Sequence, residues 1–176
     1  MLDKKYKPDE KEKKWKEYWE EKEIYKFDRN KKGHVYSIDT PPPTVSGNIH
    51  VGHIFSYSQT EMLARYKRLR GNNVFYPFGF DDNGLPTERL VEKEINKRAD
   101  QIGREEFGDL CIKITDRYEK EFKDLFNMMG FSVDWNLKYK TVSKETMRIS
   151  QKSFLDLVEK GKCYHKDSPA IWCNEC

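Results

Sequence analysis

The chain has 176 residues, enough for one domain with a substantial core, and its ten Phe, ten Tyr and four Trp supply large apolar side chains for that core. Charged and apolar residues each make up 36%. The aromatic content argues against a disordered chain. The 33 basic and 30 acidic residues interleave to a net charge of +3, which indicates a solvated surface more than a basic nucleic-acid stripe. Because no apolar run approaches a membrane span and the amino terminus lacks the apolar core of a signal peptide, we expect a cytoplasmic protein.

The first part of the chain alternates between predicted helix and strand. A highly charged helix is predicted over residues 10–23, and a buried strand over residues 35–38. Prolines 41–43 have no backbone N–H to donate, so we expect the chain to leave the sheet there. Apolar residues at three- and four-residue spacing then predict a helix over residues 50–70, which ends at Gly71.

A second strand follows that helix. Residues 73–78 are rich in aromatic and β-branched side chains, Gly79 closes the strand, and the polar turn at residues 81–84 follows. Thr87 is predicted to cap a short helix that continues to Ile95.

Two further helices complete the pattern. A sustained three- and four-residue spacing predicts a long amphipathic helix over residues 107–129, and another helix is predicted over residues 143–160. In the latter, the residues expected to face inward are Met147, Phe154, Leu157 and Val158. The order of strands and helices predicts an α/β fold with a parallel sheet and added helices.

His50 and His53 are the candidate chemical groups of the first long helix. They lie three residues apart at its start, so both should face the same way on the first turn. Unsatisfied N–H groups and the positive end of the helix dipole favour phosphate at such a place. Gly52 between them would leave room for a flat base or ribose against the backbone. Taken alone, such a pair more often consists of ordinary surface or capping residues, and a pair of metal ligands is a second alternative.

The neighbouring residues carry a family resemblance. The segment PPPTVSGNIHVGH at residues 41–53 resembles the extended HIGH signature of class I aminoacyl-tRNA synthetases. Four further segments resemble the valine, isoleucine and leucine subgroup in order and spacing: residues 64–71, 79–88, 130–135 and 172–176.

Within the subgroup, three prolines before Thr44 are similar to the valine-specific enzymes, whereas the isoleucine enzymes usually have Gly-Pro-Pro. The sequence Phe-Asp-Asp-Asn-Gly at residues 80–84 departs from the Thr-Asp-His-Ala-Gly of many valine enzymes and looks like a smaller valine-specific branch. An isoleucine-specific enzyme is the alternative.

The resemblance implies a domain organisation. Residues 34–160 would form the first half of a Rossmann-like parallel-sheet nucleotide-binding domain, with added helices. Residues 1–33 would be a helical extension, and residues 161–176 the start of an inserted editing or connective domain.

The resemblance also implies a reaction and its residues. Valine and ATP, with Mg2+, would give valyl-adenylate, and tRNA(Val) would then accept the valyl group. His50 and His53 would be the catalytic residues. The implied ATP-binding residues are Pro43, Thr44, Gly47, His50, Gly52 and His53. Those implied for the amino acid are Pro42, Pro43 and Asp81, the last of which could instead be a turn residue capping Gly84 or the next helix.

No Lys-Met-Ser-Lys-Ser segment occurs in the chain, although in the family that loop neutralises the departing pyrophosphate. We therefore expect at most half of a catalytic site, weak or no activity by the chain alone, and weak tRNA binding. A noncatalytic module that binds a nucleotide or a partner is the competing interpretation.

The four cysteines do not predict a disulfide framework, and Cys111 is expected to be a buried thiol in a helix. Cys173 and Cys176 have the spacing of a zinc knuckle, with a second ligand pair either beyond residue 176 or supplied locally by Cys163 and His165. A zinc-dependent interaction module around residues 163–176 is the third interpretation.

Overall fold

The computed structural model describes residues 5–173. Within that range the helices are α1 Pro8–Glu21, α2 Val51–Leu69, α3 Leu85–Ile95, α4 Arg104–Met128 and α5 Lys144–Glu159. The strands are β1 Val35–Ser37, β2 Asn73–Phe75, β3 Gly79–Phe80 and β4 Tyr139–Lys140. Across the described residues, no helix combines the length and apolar character needed to cross a membrane.

Both strand pairs are parallel, as the order of elements predicts. β1 pairs with β2, Val35 opposite Asn73, and β3 pairs with β4, Gly79 opposite Tyr139. In the segment between β2 and β3, Tyr76 O accepts a backbone hydrogen bond from Asp134 N (3.0 Å). The strands form two two-stranded parallel sheets, in which residues 73–81 pair with earlier chain at β1 and Thr44 and with later chain at β4.

Two strand predictions are wrong in detail, both because of proline. Pro77 has no N–H to donate, so the strand predicted over residues 73–78 is interrupted, and pairing resumes only in β3. Prolines 41–43 interrupt pairing without ending it, because Thr44 forms a parallel bridge with Asp81 and Asp81 N donates to Pro43 O (2.9 Å). The chain returns to the sheet directly after the prolines.

The predicted helices are present, with ends that differ by at most three residues. Ser143 caps α5 by accepting a hydrogen bond from Thr146 N (3.1 Å). Thr87 is not the cap predicted for α3, whose N-cap is Gly84. It lies inside the first turn, where its buried hydroxyl donates to Val45 O (3.0 Å) and ties α3 to the chain after the prolines.

The main core is aromatic. Phe78 lies at its centre, with its ring centroid 5.2–5.4 Å from those of Tyr57, Phe126 and Trp135. These separations suit edge-to-face and tilted ring contacts, which add stability beyond the area that they bury. A second, smaller core of Val91, Phe107 and Ile114 lies between α3 and α4. Cys111 of α4 is only partly buried beside it.

The apolar face of α5 does not pack inward as predicted. No residue of α5 is buried, and Phe154 is 55% exposed. The other residues predicted to face inward are also exposed: Met147, Leu157 and Val158. The helical spacing identifies an apolar face correctly, but it carries no information on whether the covering surface lies within residues 5–173.

Candidate active site

The proline segment lies against the first half of α2. The hydroxyl of Tyr57 donates to Pro41 O (2.6 Å), and burial raises the pKa of Tyr57 to about 12, so this donor keeps its proton at all ordinary pH values. The next residues are held by the bridge between Thr44 and Asp81. The prolines are thus anchored at both ends.

A cavity of about 330 Å³ lies between the prolines and α2. Its lining residues are Thr40, Pro41, Pro42, Pro43, Thr44, His53, Ser56, Tyr57 and Thr60. The walls are the rigid rings of the prolines on one side, and hydroxyl and imidazole groups of α2 on the other. Four of the predicted site residues, Pro42, Pro43, Thr44 and His53, therefore share one cavity.

His50 and His53 face the same way, as their spacing predicts. Their rings are stacked, with centroids 3.9 Å apart and planes inclined by 23°. His50 is the N-cap of α2, and its Nδ1 accepts a hydrogen bond from Gly52 N (3.1 Å). A ring that accepts through Nδ1 carries its proton on Nε2. His50 is therefore a capping residue and also retains a donor, Nε2–H.

His53 is the more enclosed of the two. Burial, and secondarily the neighbouring His50, lower the pKa of His53. The imidazole is accordingly neutral at neutral pH, with one donor and one acceptor nitrogen. Its Nδ1 is buried and has no hydrogen-bond partner within residues 5–173.

Two glycines are required by the shape of this segment. A Cβ on Gly52 would lie 3.0 Å from two atoms of the His50 ring, so the absence of a side chain lets the imidazole reach its capping position. Gly47 has a φ of +141°, a conformation that L-residues with a side chain rarely adopt. The structure thus gives backbone reasons for both, in addition to the nucleotide roles that the resemblance implies.

Asp81 lies at the carboxyl end of β3, beside the loop rather than in the wall of the cavity. Its backbone N–H donates to Pro43 O (2.9 Å), and its carbonyl accepts from Val45 N (2.8 Å). Its Oδ1 accepts a long hydrogen bond from Asn83 N (3.4 Å). The predicted turn contact is therefore present in a weak form, and its donor is Asn83 instead of Gly84. The same oxygen accepts a 3.0 Å hydrogen bond from Thr141 Oγ1.

Thr141 and a buried acidic pair next to it were not predicted from the sequence. Asp82 and Glu119 are both buried, and Lys140 Nζ lies 2.6 Å from Glu119 Oε1 and 3.9 Å from Asp82 Oδ2. Burial, and then the Glu119 carboxylate, raises the pKa of Asp82 to about 7. These residues lie far apart in sequence and share no motif, so no local pattern could have identified them.

The predicted zinc ligands are not assembled in the part of the chain that the structure describes. Cys173 is exposed, and Cys176 lies outside residues 5–173. Within those residues, no three His, Cys, Asp or Glu side chains lie close enough together to hold a metal ion. Cys163, His165 and Cys173 therefore do not form a metal site there.

Comparisons with known proteins agree with the geometry. The family model described as tRNA synthetases class I (I, L, M and V) matches residues 14–176. The chain is 52% identical over 164 residues to a valine–tRNA ligase of Rickettsia felis, which covers 93% of the chain and 19% of the relative. It is 50% identical over 172 residues to that of a Wolbachia species, covering 98% and 20%.

Among solved structures, the chain resembles LeuRS of Agrobacterium radiobacter K84, in a ternary complex with tRNA and LeuAMS. The TM-score is 0.76 with 29% sequence identity, over 89% of this chain and 19% of the other. The chain spans about a fifth of the length of the relatives that it matches. With the family model matched over 163 of 176 residues and the relatives matched at half of all positions, the chain belongs to the class I tRNA synthetases that include the isoleucine, leucine, methionine and valine enzymes.

Proposed function

We propose that this chain forms the first half of the catalytic domain of a valine–tRNA ligase, the half that holds ATP and valine. The observation that carries the proposal is the stacked pair His50 and His53 at the start of α2, beside the proline-walled cavity. The similarity to valine–tRNA ligases at 50–52% identity supports valine over isoleucine as the amino acid.

The proposed reaction begins with valine and the Mg2+ complex of ATP as substrates. A carboxylate oxygen of valine forms a bond to the α-phosphorus, and the bond from that phosphorus to the bridging oxygen of pyrophosphate breaks. The carboxylate is already ionised, so no general base is needed, and positioning together with charge stabilisation lowers the barrier. Transfer of the valyl group to the terminal adenosine of tRNA(Val) would follow in the complete enzyme, in the cytoplasm.

The nucleotide side of the proposal rests on α2. His50 Nε2–H and the neutral ring of His53 would donate hydrogen bonds to the phosphate and ribose oxygens. The first turn of α2 has no acidic residue, so its exposed N–H groups and the helix dipole favour the same negative charge. Gly47 and Thr44 would lie along the nucleotide.

The amino-acid side would be formed by Pro42, Pro43 and Asp81. The proline rings would limit side-chain size, and Asp81 at the adjoining sheet edge would accept the α-ammonium group. Zinc enters the proposal only through Cys173 and Cys176, with a second ligand pair outside residues 5–173. Metal analysis of the purified chain tests that part by itself.

Isothermal titration calorimetry with valyl-sulfamoyl-adenosine tests the proposal on this chain. We expect binding that weakens about 10-fold or more in His50→Asn and in His53→Asn, because a hydrogen bond to a charged group is lost. Asparagine is chosen at residue 50 because it is a good N-cap, so α2 keeps its start, whereas alanine would lose both the cap and the imidazole.

The matched control is His34→Asn, an exposed histidine before β1, which should leave binding unchanged. The isoleucyl analogue should bind about 10- to 200-fold more weakly than the valyl analogue, since its side chain carries one extra methylene group. Absence of binding by the unmodified chain, or equal binding by all three histidine variants, would contradict the proposal and favour a noncatalytic module.

A further inference from the structure

One hydroxyl group joins the two acidic residues that follow β3. Thr141 Oγ1 donates to Asp81 Oδ1 (3.0 Å) and accepts from Asp82 N (3.0 Å). The backbone of Thr141 is held by its own hydrogen bond, from Thr141 N to Phe80 O (3.0 Å), which continues the pairing of β3 with β4. A hydroxyl can donate once and accept, and here both capacities are used.

The two oxygens of the Asp81 carboxylate have different surroundings. Oδ1 receives the Thr141 hydroxyl and, at 3.4 Å, Asn83 N. Among residues 5–173, Oδ2 has no hydrogen-bond partner. The backbone on both sides of the carboxylate is fixed by Pro43 O and Val45 N. Only rotation of the side chain is left, and the Thr141 hydrogen bond restricts it.

We infer that Thr141 is a positioning residue that turns Asp81 so that Oδ2 is presented to the α-ammonium group of the amino acid. The inference rests on the function proposed above and adds a residue to it. A carboxylate bound at one oxygen and open at the other is pre-organised for one cation, because its orientation is set before the ligand arrives.

Neighbouring contacts hold β4 in place without the Thr141 hydroxyl. Thr146 Oγ1 donates to Lys140 O (2.8 Å), and Lys140 also contacts Glu119. Removing the Thr141 hydroxyl should therefore change the orientation of Asp81 more than the course of β4. Valine has nearly the shape of threonine without the hydroxyl, and serine keeps the hydroxyl without the methyl group.

The test uses two ligands that differ in one group: valyl-sulfamoyl-adenosine and its counterpart in which a hydroxyl replaces the α-amino group. The ratio of their dissociation constants measures recognition of the ammonium group alone. We expect the unmodified chain to prefer the amine. In Thr141→Val the ratio should fall about 10-fold, the value of one hydrogen bond to a charged group, and Thr141→Ser should restore it.

Three comparisons make the outcome decisive. Asp81→Asn should bring the ratio of the two dissociation constants close to one. Adding Thr141→Val to Asp81→Asn should cause no further change, because the hydroxyl acts through Asp81. A ratio unchanged in Thr141→Val, or equal weakening of both ligands, would overturn the positioning role while leaving the proposed function intact. If the unmodified chain binds neither ligand, or if Asp81→Asn keeps the ratio, the proposed function itself fails.

Discussion

Asp82 differs from its neighbour Asp81 in that its carboxyl group is buried beside a second one. The groups that face it are the Glu119 carboxyl, the Lys140 ammonium group and, further out, Asp116. Burial and the adjacent acid raise the pKa of Asp82 to about 7, so the Asp82 carboxyl group keeps its proton up to near neutral pH. Lys138 and Lys140 both form close ion pairs with Glu119 (2.9 and 2.6 Å), whereas Lys140 Nζ lies 3.9 Å from Asp82 Oδ2.

This proton makes stability depend on pH in a direction opposite to that of an ordinary ion-paired acid. The folded chain binds the proton more tightly than the unfolded chain, in which Asp82 has a pKa near 3.8. The stabilisation is therefore complete below about pH 4 and is lost as the pH rises through about 7. Asp82→Asn, which is always neutral, should be more stable than the unmodified chain at pH 8 by on the order of 1–3 kcal/mol.

Denaturant unfolding from pH 4 to pH 8 measures this difference. The control is Asp116→Asn, which removes the same charge from an exposed member of the cluster and should leave the slope of stability against pH nearly unchanged. Equal slopes for Asp82→Asn and the unmodified chain would show that Asp82 does not hold the proton.

At the scale of elements, the close approach of β3 and β4 depends on a missing side chain. A Cβ on Gly79 would overlap the ring of Tyr139, which lies directly opposite it in the parallel register. Gly79 is buried, whereas Tyr139 is 39% exposed. The tyrosine ring therefore covers the glycine and protects the strand pair on that face.

Gly79→Ala should destabilise the chain by about 1–3 kcal/mol, because overpacking forces the ring or the strand to shift. Thermal or denaturant unfolding gives the loss. The double variant Gly79→Ala/Tyr139→Ser should recover part of it, since the shorter side chain leaves room for the methyl group. A double variant less stable than the sum of the two single changes would rule out this steric explanation.

Prediction from sequence succeeded where the information is local. The periodicity of α2 and α4 gave both helices, and the spacing of His50 and His53 gave their shared orientation. Prediction failed where a feature depends on residues distant in sequence or on a surface outside the described residues. The contact of Thr141 with Asp81 depends on strand register across 60 residues, and no periodicity reports the surface that covers α5.

At the scale of the whole molecule, two helices present apolar faces to solvent. On α5, Ile149 is 69% and Leu155 61% exposed, and on α2, Val51 and Leu69 are more than 80% exposed. Apolar surface of this extent, when it is exposed to water, promotes association. The relatives are about five times longer, which is consistent with further chain covering these faces in a complete synthetase.

We expect the isolated chain to self-associate at micromolar concentration, as measured by sedimentation velocity. Leu155→Glu combined with Ile149→Glu should shift it toward the monomer with little loss of stability, since both side chains are exposed. Gln151→Glu, an exposed polar position on the same helix, adds charge without removing apolar surface and should leave association unchanged. A monomeric unmodified chain would contradict this expectation.

The hydrogen bond between Thr141 and Asp81 also sets an order of events during synthesis. Asp81 leaves the ribosome 60 residues before its partner, with the whole of α4 in between. At 5–20 residues per second this delay is about 3–12 s. During that time β3 has one unpaired edge, and the Asp81 carboxylate lacks the hydroxyl that restricts its rotation. The nascent chain can thus form the proline cavity early, whereas the orientation of the neighbouring Asp81 carboxylate is set only when β4 arrives.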